Sequence, residues 1–196
     1  PINIYARTKY AAEKLIRKDC IDNNIQYLII RPSNVINSQS SNVYPLLNFI
    51  RSIKNGHFFY IKNQENVYLN YITIDNVVEI LKSMVITSTN KNAVYILNNP
   101  IRLNNLVRSI AQYLKVKEPK RVIPYNVGCQ LATFGDVIQS FLNIPVPFNS
   151  NVLQELTNDK IYEDYLVKKE IVSNYSNNIL QTIRSLATRY RKEGLI

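Results

Sequence analysis

A mixed α/β fold with at least one strand buried between helical layers is predicted by three observations. Segments whose apolar residues recur every three to four positions alternate with short β-branched and aromatic runs from one end of the chain to the other. One such run, Gln26-Tyr27-Leu28-Ile29-Ile30, is apolar without alternation until Arg31-Pro32, as suits a strand covered on both faces in a parallel sheet. No internal repeat, heptad series or low-complexity linker interrupts the pattern.

The elements follow in order. Asn3 to Asp19 is dense in Ala, Lys, Glu, Leu and Ile without glycine or proline and reads as a helix; the Asp22-Asn23-Asn24 break separates it from the buried strand. Asn34 to Asn42 is rich in Ser and Asn and is expected to be a loop. Pro45 opens a helix from Leu46 to Lys54 and Gly56 caps its end. Phe58 to Ile61 and Val67 to Ile72 are short strands around an Asn63-Gln64-Glu65-Asn66 turn, and Asp75 is placed to cap a helix running through Ser83. A strand from Ala93 to Leu97, a helix from Leu103 to Lys115, a strand from Arg121 to Ile123 and a helix from Asn126 to Leu142 complete the alternation. Pro145-Val146-Pro147 marks a rigid connection to short helices at Val152 to Leu156 and Lys168 to Val172, and Ile179 to Glu193 forms the last helix.

At 196 residues and 46% hydrophobic content the chain can bury the core of one large or two small domains. No apolar stretch reaches the ~20 residues that span a bilayer, and Pro1 to Arg7 lack the layout of a secretory signal, so neither a membrane nor an export route is expected. Cys20 and Cys129 belong to no metal-ligating cluster; with no metal site or disulfide framework expected, a cytoplasmic setting fits best. Asn174-Tyr175-Ser176 matches a glycosylation acceptor by coincidence in an Asn-rich chain. The net charge of +10 is spread over many predicted helix surfaces, which favours solvated faces and an anionic small molecule over a nucleic-acid partner.

Chemistry is concentrated near the start of the chain, where Tyr5 and Lys9 stand four apart on a predicted helix and so share one face. An ammonium beside a phenol favours phenolate and lowers a pKa of ~10 toward the range useful for proton transfer. The spacing alone decides little, because Tyr10/Lys14, Tyr113/Lys117 and Tyr165/Lys169 repeat it among 14 tyrosines. Context sets the first pair apart: a small residue follows Tyr5, Thr8 precedes Lys9, and Glu13 follows four residues later.

That segment resembles the Tyr-x-x-x-Lys active-site helix of the extended short-chain dehydrogenases/reductases, the NAD-dependent epimerase/dehydratase family that modifies sugar nucleotides. The resemblance continues in order through Leu28 to Val35, which includes Arg31-Pro32-Ser33-Asn34, through Tyr71 to Val78, and through Ala93 to Asn98 and Ile101 to Leu106. It implies the C-terminal part of a doubly wound Rossmann-type sheet plus a smaller mixed α/β substrate-binding domain. Residues 1–40 would end the dinucleotide-binding domain, and residues 41–196 would form mainly the substrate-binding domain, with parts returning to the sheet.

The resemblance also implies roles. Tyr5 would be the catalytic acid/base and Lys9 its electrostatic partner, both touching an NAD or NADP cofactor together with Pro32 and Ser33. Asn34 would reach the substrate, and Lys62 and Arg102 are the nearest basic candidates for a diphosphate, because the arginine usual before the Tyr71 segment is replaced by Val67-Tyr68-Leu69-Asn70. No G-x-G-x-x-G loop occurs among the four glycines, so the half that binds most of the cofactor is expected to lie outside this sequence, and the chain as given is expected to be inactive alone. The expected function is an NAD(P)-dependent epimerase, dehydratase or reductase acting on a nucleotide sugar, working as a homodimer through the active-site helix. The alternative is a non-catalytic protein of the same fold that binds a dinucleotide or a partner.

Overall fold

The computed structural model describes residues 4–39, 44–87, 92–144, 146–171 and 178–196. The expected connection at Pro145 and the Asn174-Tyr175-Ser176 motif therefore lie, wholly or in part, outside the described residues. Fifteen elements are described: α1 (Ile4–Asp22), β1 (Leu28–Pro32), β2 (Asn34–Ile36), α2 (Tyr44–Lys54), β3 (Tyr60–Ile61), β4 (Tyr68–Thr73), α3 (Ile74–Thr87), β5 (Ala93–Leu97), β6 (Asn99–Arg102), α4 (Leu103–Leu114), β7 (Val122–Ile123), α5 (Tyr125–Leu142), α6 (Ser150–Thr157), α7 (Tyr165–Glu170) and α8 (Ile179–Lys192). The fold is α/β with parallel pairing in all three sheets.

One segment of chain serves two of those sheets. β1 runs parallel to β5, with Arg31 opposite Ile96 and Pro32 opposite Leu97. Pro32 has no N–H to continue the ladder, and Ser33 closes the pairing by donating its N–H to the Leu97 carbonyl at 2.9 Å. The next residue, Asn34, opens β2, which pairs parallel with β4 opposite Tyr71. The polar stretch expected to be a loop from Asn34 onward therefore begins as a strand: main-chain pairing to β4 overrides the low strand propensity of Asn.

The remaining differences from the sequence reading are local. β3 and β4 flank the turn at Asn63, whose φ of 65° is left-handed, but they do not pair with each other; β3 pairs with β7 and β4 with β2 and β6. β6, not anticipated as a separate strand, pairs antiparallel to β4 and leads directly into α4. The start of α3 is capped by Thr73, whose Oγ1 accepts the Asn76 N–H at 3.3 Å, while Asp75 sits inside the first turn, where its charge suits the helix dipole.

The main core is built by α2, α4 and α8. In α4 the residues Leu103, Leu106, Val107, Ile110, Ala111 and Leu114 recur at helical spacing and are all buried, facing Ile50 and Ile53 of α2 and Ile183, Leu186 and Tyr190 of α8. Each large aliphatic side chain so buried stabilises the fold by roughly 1.5–3 kcal/mol. Lys115 ends α4 in a left-handed conformation at φ 58°. Burial pushes the Tyr190 phenol up to about 12. A second cluster, Ile72, Ile80, Met84, Tyr95, Leu97 and Val167, packs α3 and α7 on the β-structure. A third, Ile61, Ala132 and Leu153, joins α5 and α6 to β3.

Candidate active site

α1 contains no buried residue; Tyr5 is 71% exposed near its start. Positions 5, 9 and 13 drift by only about 40° per step around a helix, so Tyr5, Lys9 and Glu13 form one stripe. Lys9 Nζ lies 5.7 Å from the centre of the Tyr5 ring. Tyr10 and Lys14 make a similar couple at 4.9 Å, so the separation does not single out the first pair. What distinguishes Tyr5/Lys9 is that its stripe ends on Glu13.

Glu13 fastens the stripe to the strand. Its carboxylate accepts from Arg31 Nε at 3.0 Å and Nη2 at 2.7 Å, and from Arg17 Nη2 one turn along at 2.5 Å. Arg31 stands at the C-terminal end of β1, beside Pro32 and Ser33, so the Tyr5/Lys9 helix is tied to the strand end at which ligands of open α/β sheets bind. The Arg31 guanidinium, opposed in part by desolvation and aided by Arg17, holds the Glu13 carboxyl below the usual carboxylate range.

The pH consequence has a definite sign. A lowered folded-state value makes the tie complete above the ordinary carboxylate pKa of ~4.3 and loses it as pH falls through the lowered value. Glu13→Gln is expected to speed amide exchange in α1 by about two- to fivefold while leaving α4 and α8 unchanged, since partly exposed pairs are worth ~0.2–1 kcal/mol. Hydrogen exchange followed residue by residue checks it; equal exchange in both proteins would show that the pair does not hold the helix.

Two positions expected to touch the cofactor sit at this strand end. Ser33 Oγ is buried and has no hydrogen-bond partner among the described residues, an orphaned hydroxyl beside Pro32 that a ligand polar group would satisfy. With the exposed Tyr5 and Lys9, these residues fit a nicotinamide dinucleotide.

Beyond Ser33 the chain enters an open cavity of about 50 Å³ lined by Asn34, Tyr68, Leu69, Asn70, Tyr71, Glu155, Asn158 and Tyr162. Its far wall is the segment between α6 and α7, strapped across β4 by amides. Asn98, fully buried, donates to Asn70 Oδ1 at 2.8 Å and to the Tyr162 carbonyl at 3.0 Å; Asn70 Oδ1 also accepts the Tyr162 N–H at 3.1 Å, and Asn70 Nδ2 donates to the Lys160 carbonyl at 2.6 Å. Asp159 accepts the Tyr68 N–H at 3.0 Å. Asn34 Nδ2 reaches Glu155 Oε1 at 3.2 Å across the mouth. The Tyr71 phenol is pushed well above its ordinary value, by burial first and then by the Glu155 charge.

Of the three residues expected at the substrate, only Asn34 lines this cavity. Arg102 lies behind its wall, its guanidinium 4.4 Å from the Tyr68 ring centre and Nη1 donating to the Asn66 carbonyl at 3.4 Å. Lys62 directly follows β3; its N–H donates to the Ile123 carbonyl at 2.9 Å, and it is not among the lining residues. Tyr68, Tyr71, Glu155, Asn158 and Tyr162 were not anticipated, and for Glu155 and Tyr162 no sequence signal exists, because they come from a segment more than a hundred residues from Asn34.

Residues 1–81 match the NAD-binding family described as "Male sterility protein". No curated protein sequence matches. Among solved structures, the terminal R domain of the myxalamid PKS-NRPS biosynthetic pathway is similar at 15% identity, over 100% of this chain and 51% of that one, with a TM-score of 0.68. A nucleoside-diphosphate-sugar epimerase from Pseudomonas aeruginosa is similar at 16% identity, over 99% and 57%, with a TM-score of 0.66. The UDP-glucuronic acid 4-epimerase from Bacillus cereus, solved with NAD, is similar at 10% identity, over 100% and 54%, with a TM-score of 0.66. The chain spans little more than half the length of the structures it matches. Among the described residues no helix is long and apolar enough to cross a membrane. The family match covers the first 81 residues, and over its whole length the chain shares the fold of these epimerases and of the R domain.

Proposed function

We propose that this chain supplies the acid/base and the substrate side of an NAD(P)-dependent enzyme of the epimerase/dehydratase/reductase type, with a nucleotide sugar as the first substrate class to test. The observation that supports it best is the Tyr5-Lys9-Glu13 stripe tied by Arg31 to the end of β1, where Pro32, Ser33 and Asn34 lead into the cavity. Tyr5 moves a proton to or from a substrate hydroxyl or carbonyl oxygen, with Lys9 beside it on the same helix face as its electrostatic partner. Lys9, Pro32 and Ser33 hold the nicotinamide side of the cofactor, whose chemistry when bound is to accept or donate the hydride. Asn34 orients the reacting group. The exposed Ile4, Leu15, Ile16 and Ile21 of α1 favour a homodimer through that helix.

A second reading has its own support. Among the described residues no Lys or Arg lines the cavity, which favours a reductase of the same fold whose substrate lacks a nucleoside diphosphate. The experiment is consumption of NADH and NADPH by a protein carrying this chain together with a dinucleotide-binding half, with nucleotide sugars and with simple aldehydes or thioesters offered separately. Turnover of nucleotide sugars supports the first reading and turnover of the others the second. Absence of both, in a protein shown to bind the cofactor, leaves the non-catalytic binding protein as the answer.

A further inference from the structure

α5 is joined to the rest of the fold along one side. There Gly128, Ala132 and Gly135 are buried against Ile61 of β3, Leu153 of α6 and the Phe148 carbonyl. Another arc of the same helix carries Val127, Leu131, Phe134, Ile138 and Phe141, spaced four, three, four and three residues apart. At about 100° per residue these five positions fall within about 80° of one another and form a stripe roughly 20 Å long. Phe134 is 65% and Phe141 86% exposed, Val127, Leu131 and the adjacent Val137 are exposed with them, and Ile138 is half-buried. The stripe carries no charge: the single ionised residue of α5, Asp136, lies on the opposite side, where it accepts the Ser150 N–H at 3.2 Å.

A continuous apolar patch on a folded surface marks a place where another apolar surface meets it. The alternation of four and three is the spacing with which one helix seats its side chains between those of another. A helix that lies on lipid carries Lys and Arg on its polar side, and α5 has neither. Burying the stripe with Val137 and Leu142 would cover roughly 600 Å² per copy, or about 1,200 Å² in a symmetric pair, the lower edge of stable specific interfaces. β1 and β5 pack in the cluster around Ile72 and Tyr95, and α5 in the separate one around Ile61, so a dinucleotide-binding half added beside β1 leaves this face open.

We infer that the outward face of α5 is a self-association surface, on which α5 of a second copy packs with Phe134 meeting its own counterpart at the twofold axis. The contact is separate from the α1 pairing proposed above and does not depend on the proposed reaction. Two different twofold contacts on one chain give assemblies larger than a dimer, so the α1 contact is removed before α5 is read.

Sedimentation velocity over a wide concentration range is the test, run on this chain and on a protein that carries it with a dinucleotide-binding half, both with Ile16→Asp in α1. Each is expected to form reversible dimers. Phe134→Asp and, separately, Phe141→Asp are expected to raise the dissociation constant by at least about tenfold, as loss of a central aromatic anchor does, while Phe134→Leu stays within a few-fold. Both phenylalanines are exposed, and unchanged circular dichroism verifies that the variants keep their fold. Flotation with vesicles of phosphatidylcholine and phosphatidylserine is measured alongside. Dimers in both proteins that either aspartate dissolves support the inference. Monomers at every concentration, with or without Phe134-dependent flotation, would overturn it, as would association that survives both aspartates or that is confined to the shorter chain.

Discussion

Turnover is expected to fall by roughly a hundred- to ten-thousand-fold when Tyr5 is replaced by phenylalanine in a protein that carries the dinucleotide-binding half, the usual size of a general acid/base contribution. The substitution removes one oxygen from a side chain that is 71% exposed and packs on nothing buried, so stability should not change measurably. Cofactor affinity should stay within a few-fold, because Lys9 and the Ser33 hydroxyl remain. Tyr10→Phe serves as the internal comparison: Tyr10 faces Lys14 at a similar distance but lies off the stripe that ends on Glu13, and its loss should leave turnover intact. Equal losses at both positions would point to general damage to α1, and retained turnover in Tyr5→Phe would remove the assignment. The comparison works because the same side-chain couple occurs twice on one helix and only context separates the two.

The largest effect on stability is expected at Gly135. α5 packs against α6 through Gly128, Ala132 and Gly135, all buried. A Cβ at position 135 would sit 2.1 Å from the carbonyl oxygen of Phe148, which is backbone and cannot rotate aside. The contact is held from both ends: Asp136 accepts the Ser150 N–H at 3.2 Å and pairs with the Ser150 hydroxyl, and Asn149 caps α6 by accepting the Val152 N–H at 3.0 Å. Gly135→Ala therefore forces the two helices apart and should cost about 1–3 kcal/mol, the range for overpacked sites. Gly128→Ala is its counterpart, since the new methyl would meet only the flexible ends of Ile61 at 2.9 Å and Leu153 at 3.3 Å. Relief of the ~1 kcal/mol helix penalty of glycine should offset that crowding and leave the variant near neutral. Denaturant unfolding of the two variants side by side measures the difference; equal midpoints would mean that the α5–α6 contact yields more freely than its backbone geometry implies.

Much of the fold is legible in the sequence where periodicity is strong. The spacing of Leu103, Leu106, Val107, Ile110 and Leu114 leaves no choice but a helix with one buried face. The run ending at Ile30 is a strand in parallel pairing as expected, but it is not covered on both sides: Leu28 is exposed and Ile29 and Ile30 are half-buried. Where polarity and pairing disagree, the sequence misleads: Asn34-Val35-Ile36 resembles a loop because Asn disfavours strands, but β4 offers it a ladder. Capping of α3 is legible in kind but not in place, because Thr73 and Asp75 are both competent and only geometry chooses between them.

The site divides the same way. Tyr5, Lys9, Pro32, Ser33 and Asn34 are close in sequence, and local motifs disclose them. The wall of the cavity is assembled by Asn98 and Asn70 reaching across to residues 160–162, a tertiary event that leaves no local trace. Of the two basic candidates, Lys62 and Arg102, neither lines the cavity: Arg102 lies close in space but stacks on the Tyr68 ring, and Lys62 follows β3.

The passage of β1 into β2 with a single intervening residue fixes a length scale that packing alone could not. Consecutive Cα atoms are ~3.8 Å apart, so Pro32 and Asn34 can be separated by no more than about 7 Å whatever the surrounding helices do. The part of the site expected to meet the cofactor and the part that opens on the cavity are thus spaced by covalent bonds, as marks on a ruler are. Side-chain changes on either side leave that spacing untouched. Insertion of one residue at Ser33 would instead turn every following side chain of β2 to the opposite face, moving Asn34 away from Glu155 in a single step. Substitutions that alter the cavity while keeping this spacing are therefore those in its wall, above all in the α6–α7 segment, whereas a change in the length of the three-residue junction alters both parts at once.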